Sequence, residues 1–147
     1  MLLYPDHYKE VAYSNEVRYN FFNYCEGDDS WPQKQSLTRE KAYSKNKSSK
    51  TGNGQDFGYT FEYAKKNLPD SINNMHVSMY IYQTEINPDI KLVFELSGEN
   101  IEFTWNNVSL NSITSETNKW VKIEHTFQLD DIYENSTLIK VYLFVKV

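Results

Sequence analysis

A strict alternation of apolar and polar side chains in the second half of the chain most constrains its fold. Val77, Met79 and Ile81 alternate with more polar neighbours along residues 76–82. The same period returns in four later segments, at residues 90–96, 101–105, 121–129 and 139–145. A period of two residues belongs to a β-strand with one buried face, whereas no span of ten or more residues keeps the spacing of an amphipathic helix. The sequence therefore predicts an all-β protein.

The residue composition agrees with strands and with one domain. The chain has 12 Tyr, 8 Phe and 3 Trp but only 5 Gly, and large flat side chains favour strands over helices. Its 147 residues suffice for one core that buries roughly two-thirds of the unfolded surface. We predict a lead-in or linker over residues 1–16, which show no clear period, and a single domain over residues 17–147.

The first half of the chain has weaker strand patterns. We expect strands at residues 17–24, 35–38, 42–50 and 57–63. Together with the second half this makes eight or nine short strands, with long irregular crossings at residues 64–75 and 106–118. Such crossings favour a two-sheet antiparallel β-sandwich over an up-and-down barrel. The predicted core consists of inward residues from successive strands: Val77, Met79, Ile81, Leu92, Phe94, Ile123, Phe127, Val141 and Leu143.

Two short patterns resemble the landmarks of non-catalytic jelly-roll domains, the carbohydrate-binding modules and their galactose-binding-like relatives. The first places small and polar residues on an early strand pair, at Ser36, Thr38, Glu40, Ala42, Ser44 and Ser48. The second is a later strand with Trp120, Ile123, Phe127 and Leu129. The resemblance implies a jelly roll with a binding or accessory role, outside the cytoplasm at the cell surface or in the periplasm, beside other domains of a larger protein.

One departure from these patterns concerns the local backbone. The family carries Gly where this chain has Lys45. Lysine has a steric cost at positive φ that glycine lacks. The sequence therefore disfavours the usual tight turn after Ser44.

An acidic turn follows the first predicted strand. Many of these jelly rolls hold a structural calcium ion through an early Glu, and the resemblance puts Glu26 at that position, with Asp28 and Asp29 close by. Hard cations need several oxygen ligands, and the aspartate that the family supplies from its final strand is absent from this sequence. We therefore expect no cofactor. A calcium ion at Glu26, Asp28 and Asp29 is the alternative to a solvated acidic turn.

Aromatic side chains on outward positions are the candidates for ligand binding. Sugar-binding jelly rolls stack such rings on the apolar faces of pyranoses. Tyr80 and Tyr82 project from one strand face, opposite to the apolar one and about 7 Å apart. Trp31 lies in the acidic loop and Trp105 at the end of its strand. The structural alternatives are a tyrosine pair that covers the sheet, a Trp31 that closes one end of the sandwich, and a Trp105 that belongs to the core.

Charge and hydropathy limit the possible partners. A net charge of −5 argues against nucleic acid, because phosphate binding needs an excess of cations on one face. The basic cluster between Lys41 and Lys50 alternates with Ser and Asn, which is typical of a solvated surface, with a polybasic membrane contact as the weaker alternative. No apolar run approaches the roughly 20 residues that span a bilayer, so the sequence predicts no membrane insertion.

Catalytic motifs do not stand out in the sequence. Cys25 is the single cysteine, which predicts a small buried thiol. His125 shares a face with apolar residues, which is typical of a structural histidine. Without a nucleophile elbow or phosphate loop, we predict a domain with no enzymatic activity that binds a polysaccharide or another glycan. A ligand-free accessory domain and a small glycoside hydrolase with paired carboxylates are the alternatives.

Overall fold

The structure, a computed structural model, describes residues 2–5, 21–27, 29–52, 54–68, 72–99, 104–129 and 136–145. Within these ranges the chain forms nine β-strands: β1 Leu2–Pro5, β2 Leu37–Thr38, β3 Ser48–Lys50, β4 Phe61–Ala64, β5 Asn74–Tyr82, β6 Ile90–Ser97, β7 Thr104–Ser109, β8 Trp120–Gln128 and β9 Leu138–Val145. Three short 3₁₀ turns cover Lys34–Ser36, Lys65–Asn67 and Leu110–Ser112. The described part of the chain has no α-helix that could cross a membrane.

The strands form two antiparallel sheets. One sheet has the order β2-β3-β1-β5-β8, and the other has the order β4-β9-β6-β7. The longest pairing joins β5 to β8, from Asn74 opposite Gln128 to Tyr82 opposite Trp120. In the second sheet β6 and β7 form a hairpin in which Leu96 faces Thr104.

The core lies between the two sheets. Phe94 on β6 and Phe127 on β8 stack across it with ring centroids 5.3 Å apart, which fixes the two sheets face to face. Eight of the nine predicted core residues are buried, and Val77 is half-buried and packs against them. The prediction of an all-β, two-sheet antiparallel sandwich is thereby confirmed, because alternation along each strand had correctly separated inward from outward positions.

The first half of the chain differs from its predicted strands. From the predicted strand at residues 42–50 only β3 is formed, and residues 39–47 make a loop, here called the 39–47 loop. From the predicted strand at residues 17–24, residues 21–24 are not in a strand and the rest lies outside the described residues. Residues 21–24 and the 39–47 loop are irregular because much of their backbone forms hydrogen bonds with side chains and not with a neighbouring strand.

β1 comes from the segment that the sequence suggested to precede the domain. It pairs with β3 on one side, Leu2 opposite Lys50, and with β5 on the other, Leu2 opposite Tyr82. Part of residues 1–16 therefore belongs to the five-stranded sheet. The boundary at residue 16 itself stays a prediction, because residues 6–20 lie outside the described part of the chain.

Glu26 holds the end of the 39–47 loop. Its carboxylate accepts the backbone N–H of Asn46 at 3.0 Å and that of Lys47 at 3.1 Å, and the Lys47 ammonium donates to the Glu26 carbonyl at 3.0 Å. Lys45 has a φ of 53°, so this position is left-handed although it lacks glycine. The backbone hydrogen bonds to Glu26 offset the steric cost of that conformation, so a lysine adopts the left-handed backbone that the sequence disfavoured.

Candidate functional site

Four aromatic rings gather on the outer face of the five-stranded sheet. Tyr80 and Tyr82 alternate with the buried Met79 and Ile81, so they point away from the core as predicted. Trp120, the partner of Tyr82 on β8, lies with its ring 5.7 Å from that of Tyr82. The fourth ring comes from the 39–47 loop and belongs to Tyr43. We call this set, Tyr43, Tyr80, Tyr82 and Trp120, the tyrosine surface.

Tyr43 is the most exposed ring of the tyrosine surface. It stacks on Tyr80 with ring centroids 3.9 Å apart and an angle of 12° between the planes, and it meets Trp120 edge-on at 5.7 Å. Tyr43 remains 43% exposed, whereas Tyr80 and Tyr82 are half-buried. The Lys41 ammonium lies 3.8 Å from the centre of the Tyr82 ring. The predicted pair therefore supports an exposed ring and does not itself form the outermost layer.

Sequence reasoning missed Tyr43, Trp120 and Lys41 as members of this site. Trp120 precedes the inward Val121, so the period of β8 already marked it as outward. Tyr43 and Lys41 lie in a loop without a period, and their contacts with Tyr80 and Tyr82 are tertiary. An aromatic residue within a polar, basic loop was the one available signal.

Trp105 lies on the outer face of the opposite sheet. It is 38% exposed, and its indole N–H donates to the Tyr142 hydroxyl at 3.0 Å. That hydroxyl in turn donates to Glu95 Oε2 at 2.9 Å. Burial, followed by the bond to Glu95, raises the pKa of Tyr142 to about 12. Trp105 is thus a surface residue and not part of the core, and it lies apart from the tyrosine surface.

Trp31 closes one edge of the core. Its half-buried ring packs against Tyr59 at 5.6 Å and edge-on against Phe61 at 5.3 Å. Its backbone N–H donates to Asp29 Oδ1 at 2.8 Å. The four aromatic residues predicted to bind ligand therefore occupy three separate places, and only Tyr80 and Tyr82 lie together.

The acidic turn uses its carboxylates as hydrogen-bond acceptors. Asp29 accepts the Asn23 amide, the Trp31 N–H and the Tyr59 hydroxyl. Glu26 binds the 39–47 loop, and its pKa is lowered mainly by the backbone N–H of Asn46. Asp28 lies outside the described residues. Within the described ranges, no three His, Cys, Asp or Glu side chains come together as metal ligands, and a calcium ion at this turn stays the untested alternative to a solvated acidic turn.

Cys25 lies in the same polar turn but is closed to solvent. Its side chain has 0% exposure, and its N–H donates to Asn23 Oδ1 at 2.6 Å. Burial raises the pKa of the thiol to about 12. A thiol held neutral in this way is a packing group, as the sequence predicted, and not a nucleophile at neutral pH.

The tyrosine surface is the candidate site because it combines an exposed, supported ring with neighbouring ammonium groups. His125, by contrast, packs edge-on against Phe127 at 4.7 Å, as a structural histidine does. Comparison with protein-family models, with curated proteins and with solved structures gives no match.

Proposed function

We propose that this protein is a non-catalytic domain that binds glycans through the tyrosine surface. The observation that carries the proposal is Tyr43, 43% exposed and stacked on Tyr80 at 3.9 Å. A pyranose ring has an apolar face that stacks on such a ring, and a ring that is already fixed loses little conformational freedom on binding. Contacts of this size give Kd values from about micromolar to millimolar, or roughly −4 to −8 kcal/mol.

The strand order supports a jelly-roll arrangement for this domain. Between the described strands β3 and β9, five of the six connections pass from one sheet to the other, and only the β6–β7 hairpin stays within its sheet. Connections of this kind are typical of jelly rolls. With the resemblance of residues 36–48 and 120–129, the strand order supports the proposal of an accessory module that works outside the cytoplasm within a larger protein. The proposal includes no cofactor.

Affinity gel electrophoresis through a panel of soluble polysaccharides tests the proposal. We expect Tyr43→Ala to lose retention in the gel while its thermal unfolding midpoint stays close to that of the parent. Tyr80→Ala combined with Tyr82→Ala removes the support of Tyr43 and is expected to lose retention as well. The matched control is Trp105→Ala, because it removes an aromatic ring from the outer face of the opposite sheet.

Three outcomes separate the alternatives. Retention that depends on Tyr43 and not on Trp105 supports the tyrosine surface as the site. Retention that depends on Trp105 and not on Tyr43 contradicts this placement. If the parent is retained by no polysaccharide in the panel, the accessory domain without a ligand is the reading that survives.

A further inference from the structure

We infer that the tyrosine surface selects anionic polysaccharides, whose sugars carry carboxylate or sulfate groups. The inference rests on the proposed function and adds to it a class of ligand. Its basis is the charge of the loop that covers the rings, the positions of three ammonium groups, and a groove at the edge of the same sheet.

The loop that supplies Tyr43 is basic, although the whole chain is acidic. Residues 39–50 hold five cations, Arg39, Lys41, Lys45, Lys47 and Lys50, and one acid, Glu40. This segment therefore carries a net charge of +4, against −5 for the entire chain. Opposite charge concentrated at one place attracts and orients a ligand of the other sign.

One ammonium group lies over a ring of the tyrosine surface, and a second lysine is the strand neighbour of another ring. Lys41 Nζ lies 3.8 Å from the centre of the Tyr82 ring, and the cation–π contact holds this flexible side chain over the sheet. Lys122 is the β8 partner of Tyr80, and its ammonium lies 3.5 Å from Glu124 Oε1. A sugar stacked on Tyr43 therefore has cations beside it, to which a carboxylate or sulfate can make charge-assisted hydrogen bonds.

A groove lies at the β2 edge of the same sheet. It has a volume of about 370 Å³ and is lined by Gln35, Ser36, Leu37, Thr38, Lys50, Gly52 and Gln55. Lys50 pairs with Leu2, which pairs with Tyr82, so Lys50 lies two strands, or roughly 10 Å, from Tyr82. Lys50 also makes an ion pair of 2.5 Å with Glu40. Amide and hydroxyl groups beside a cation suit a polysaccharide chain that extends beyond one ring.

An anionic glycan fits this surface better than nucleic acid does. DNA carries one charge per roughly 1.7 Å of duplex and needs a wide cationic face. Here Glu40 and Glu124 lie among the cations, and the remainder of the chain is strongly acidic. A polysaccharide with about one charge per sugar unit needs only one or two ammonium groups beside each stacking ring. Lys41 over the Tyr82 ring and Lys122 beside Tyr80 on the neighbouring strand provide that number.

Polysaccharide pairs that differ only in charge test the inference. Polygalacturonate is compared with its methyl ester, and dextran sulfate with dextran, so that the carboxylate and the sulfate are tested separately. We expect the parent to bind the anionic member of at least one pair more tightly, with an affinity that falls when NaCl is raised. Lys41→Gln with Lys122→Gln is expected to weaken anionic binding about tenfold more than it weakens neutral binding. The control Lys66→Gln with Lys91→Gln removes the same charge elsewhere and is expected to change neither.

The outcomes distinguish failure of this inference from failure of the proposed function. Equal binding of charged and neutral members, unaffected by Lys41→Gln with Lys122→Gln, overturns the charge selection but retains glycan binding. No binding to any polysaccharide overturns both. Tighter binding to single-stranded oligothymidylate or to phosphatidylserine vesicles than to either anionic polysaccharide, lost in Tyr43→Ala, also overturns the inference.

Discussion

Two of the residues with left-handed backbone lie in the acidic turn and in the 39–47 loop that it binds. Gly27 has a φ of 82° and Lys45 a φ of 53°. Two features favour glycine at position 27. The left-handed backbone is one, and the other is space, because a Cβ there would lie 2.9 Å from Leu37 Cδ1. At Lys45 the backbone is held by Glu26 through the next two N–H groups. The left-handed backbone is thus tolerated at position 27 because the residue is glycine, and it is held at position 45 by hydrogen bonds.

Gly27→Ala is expected to reduce the free energy of unfolding by more than the roughly 1–2 kcal/mol that left-handed backbone costs an L-residue, because the contact with Leu37 adds to it. Gly54→Ala is the matched control, since Gly54 has a φ of 92° and open space around the added Cβ. Urea denaturation of both variants gives the difference. Equal losses would show that Leu37 moves aside at no cost.

The buried thiol of Cys25 predicts a loss of stability in alkali. Its pKa of about 12 in the folded protein exceeds the roughly 8.5 of an unfolded chain, so the unfolded state releases its proton first. The contribution of the protonated thiol to the free energy of unfolding is therefore fully present below about pH 8.5. Above that pH the free energy of unfolding falls by up to about 1.4 kcal/mol per pH unit. Up to about pH 9.5 the slope is due to Cys25, and at higher pH the buried Tyr59 and Tyr142 add to it.

Urea midpoints measured from pH 7 to 10 check this prediction. Cys25→Ala is the control, because a chain without the thiol should show a flat profile up to about pH 9.5 whatever its absolute stability. The thiol of the native parent should also react slowly with an alkylating reagent at pH 8 and rapidly in urea. A thiol that reacts equally fast in both conditions would contradict its burial.

At the scale of elements, most strands of the second half were predicted with closer bounds than the short strands β2, β3 and β4 of the first half. Residues predicted at 76–82 and 90–96 correspond to β5, Asn74–Tyr82, and β6, Ile90–Ser97. These strands bury one face over many residues, and burial leaves a period in the sequence. In the first half, single hydrogen bonds hold the backbone, as between Ser48 Oγ and the Lys41 carbonyl at 2.6 Å. Such bonds have no period.

The candidate site was predictable to the same extent. The outward direction of Tyr80 and Tyr82 follows from the alternation of β5, and the structure confirms that direction. The stacking of Tyr43 on Tyr80 joins residues from a loop and a distant strand, so local sequence does not contain it. The charge pattern predicted the site only in part. The basic segment was visible in the sequence, but its position over aromatic rings was not.

The stacked rings of Phe94 and Phe127 between the sheets predict how much stability is lost when a core side chain is removed. Phe94→Ala and Phe127→Ala should each lower the free energy of unfolding by about 3–5 kcal/mol, as cavities in packed cores do. Their combined effect should be smaller than the sum by about 0.5–1.5 kcal/mol, because the rings contact each other. Denaturant unfolding of both single variants and the double variant measures this coupling.

A surface residue provides the control for these core variants. Ile86 is 41% exposed, so Ile86→Ala should change the free energy of unfolding by less than about 0.5 kcal/mol. Losses at Phe94 or Phe127 as small as the loss at Ile86 would contradict the packing of the two sheets against each other.

For the molecule as a whole, we predict no enzymatic activity. The sequence has no nucleophile elbow or phosphate loop, and the buried carboxylate of Glu95 is engaged by Tyr142 at 2.9 Å and faces Lys140 at 4.0 Å. A panel of p-nitrophenyl glycosides and esters should show no turnover above the buffer rate. Turnover that persists through purification and disappears in Glu95→Gln or another single carboxylate variant would establish a hydrolase.

β1 lies in the interior of the five-stranded sheet, and this position affects how the molecule folds. Leu2 pairs with Tyr82, so the sheet under the aromatic rings closes only after β5 has been synthesised. Pairings so distant in sequence form slowly. Until β1 is seated, the facing edges of β3 and β5 have unpaired backbone groups that a strand from another molecule can occupy. Concentrated, partly unfolded chains are therefore expected to exchange this strand, and a swapped dimer would be the product.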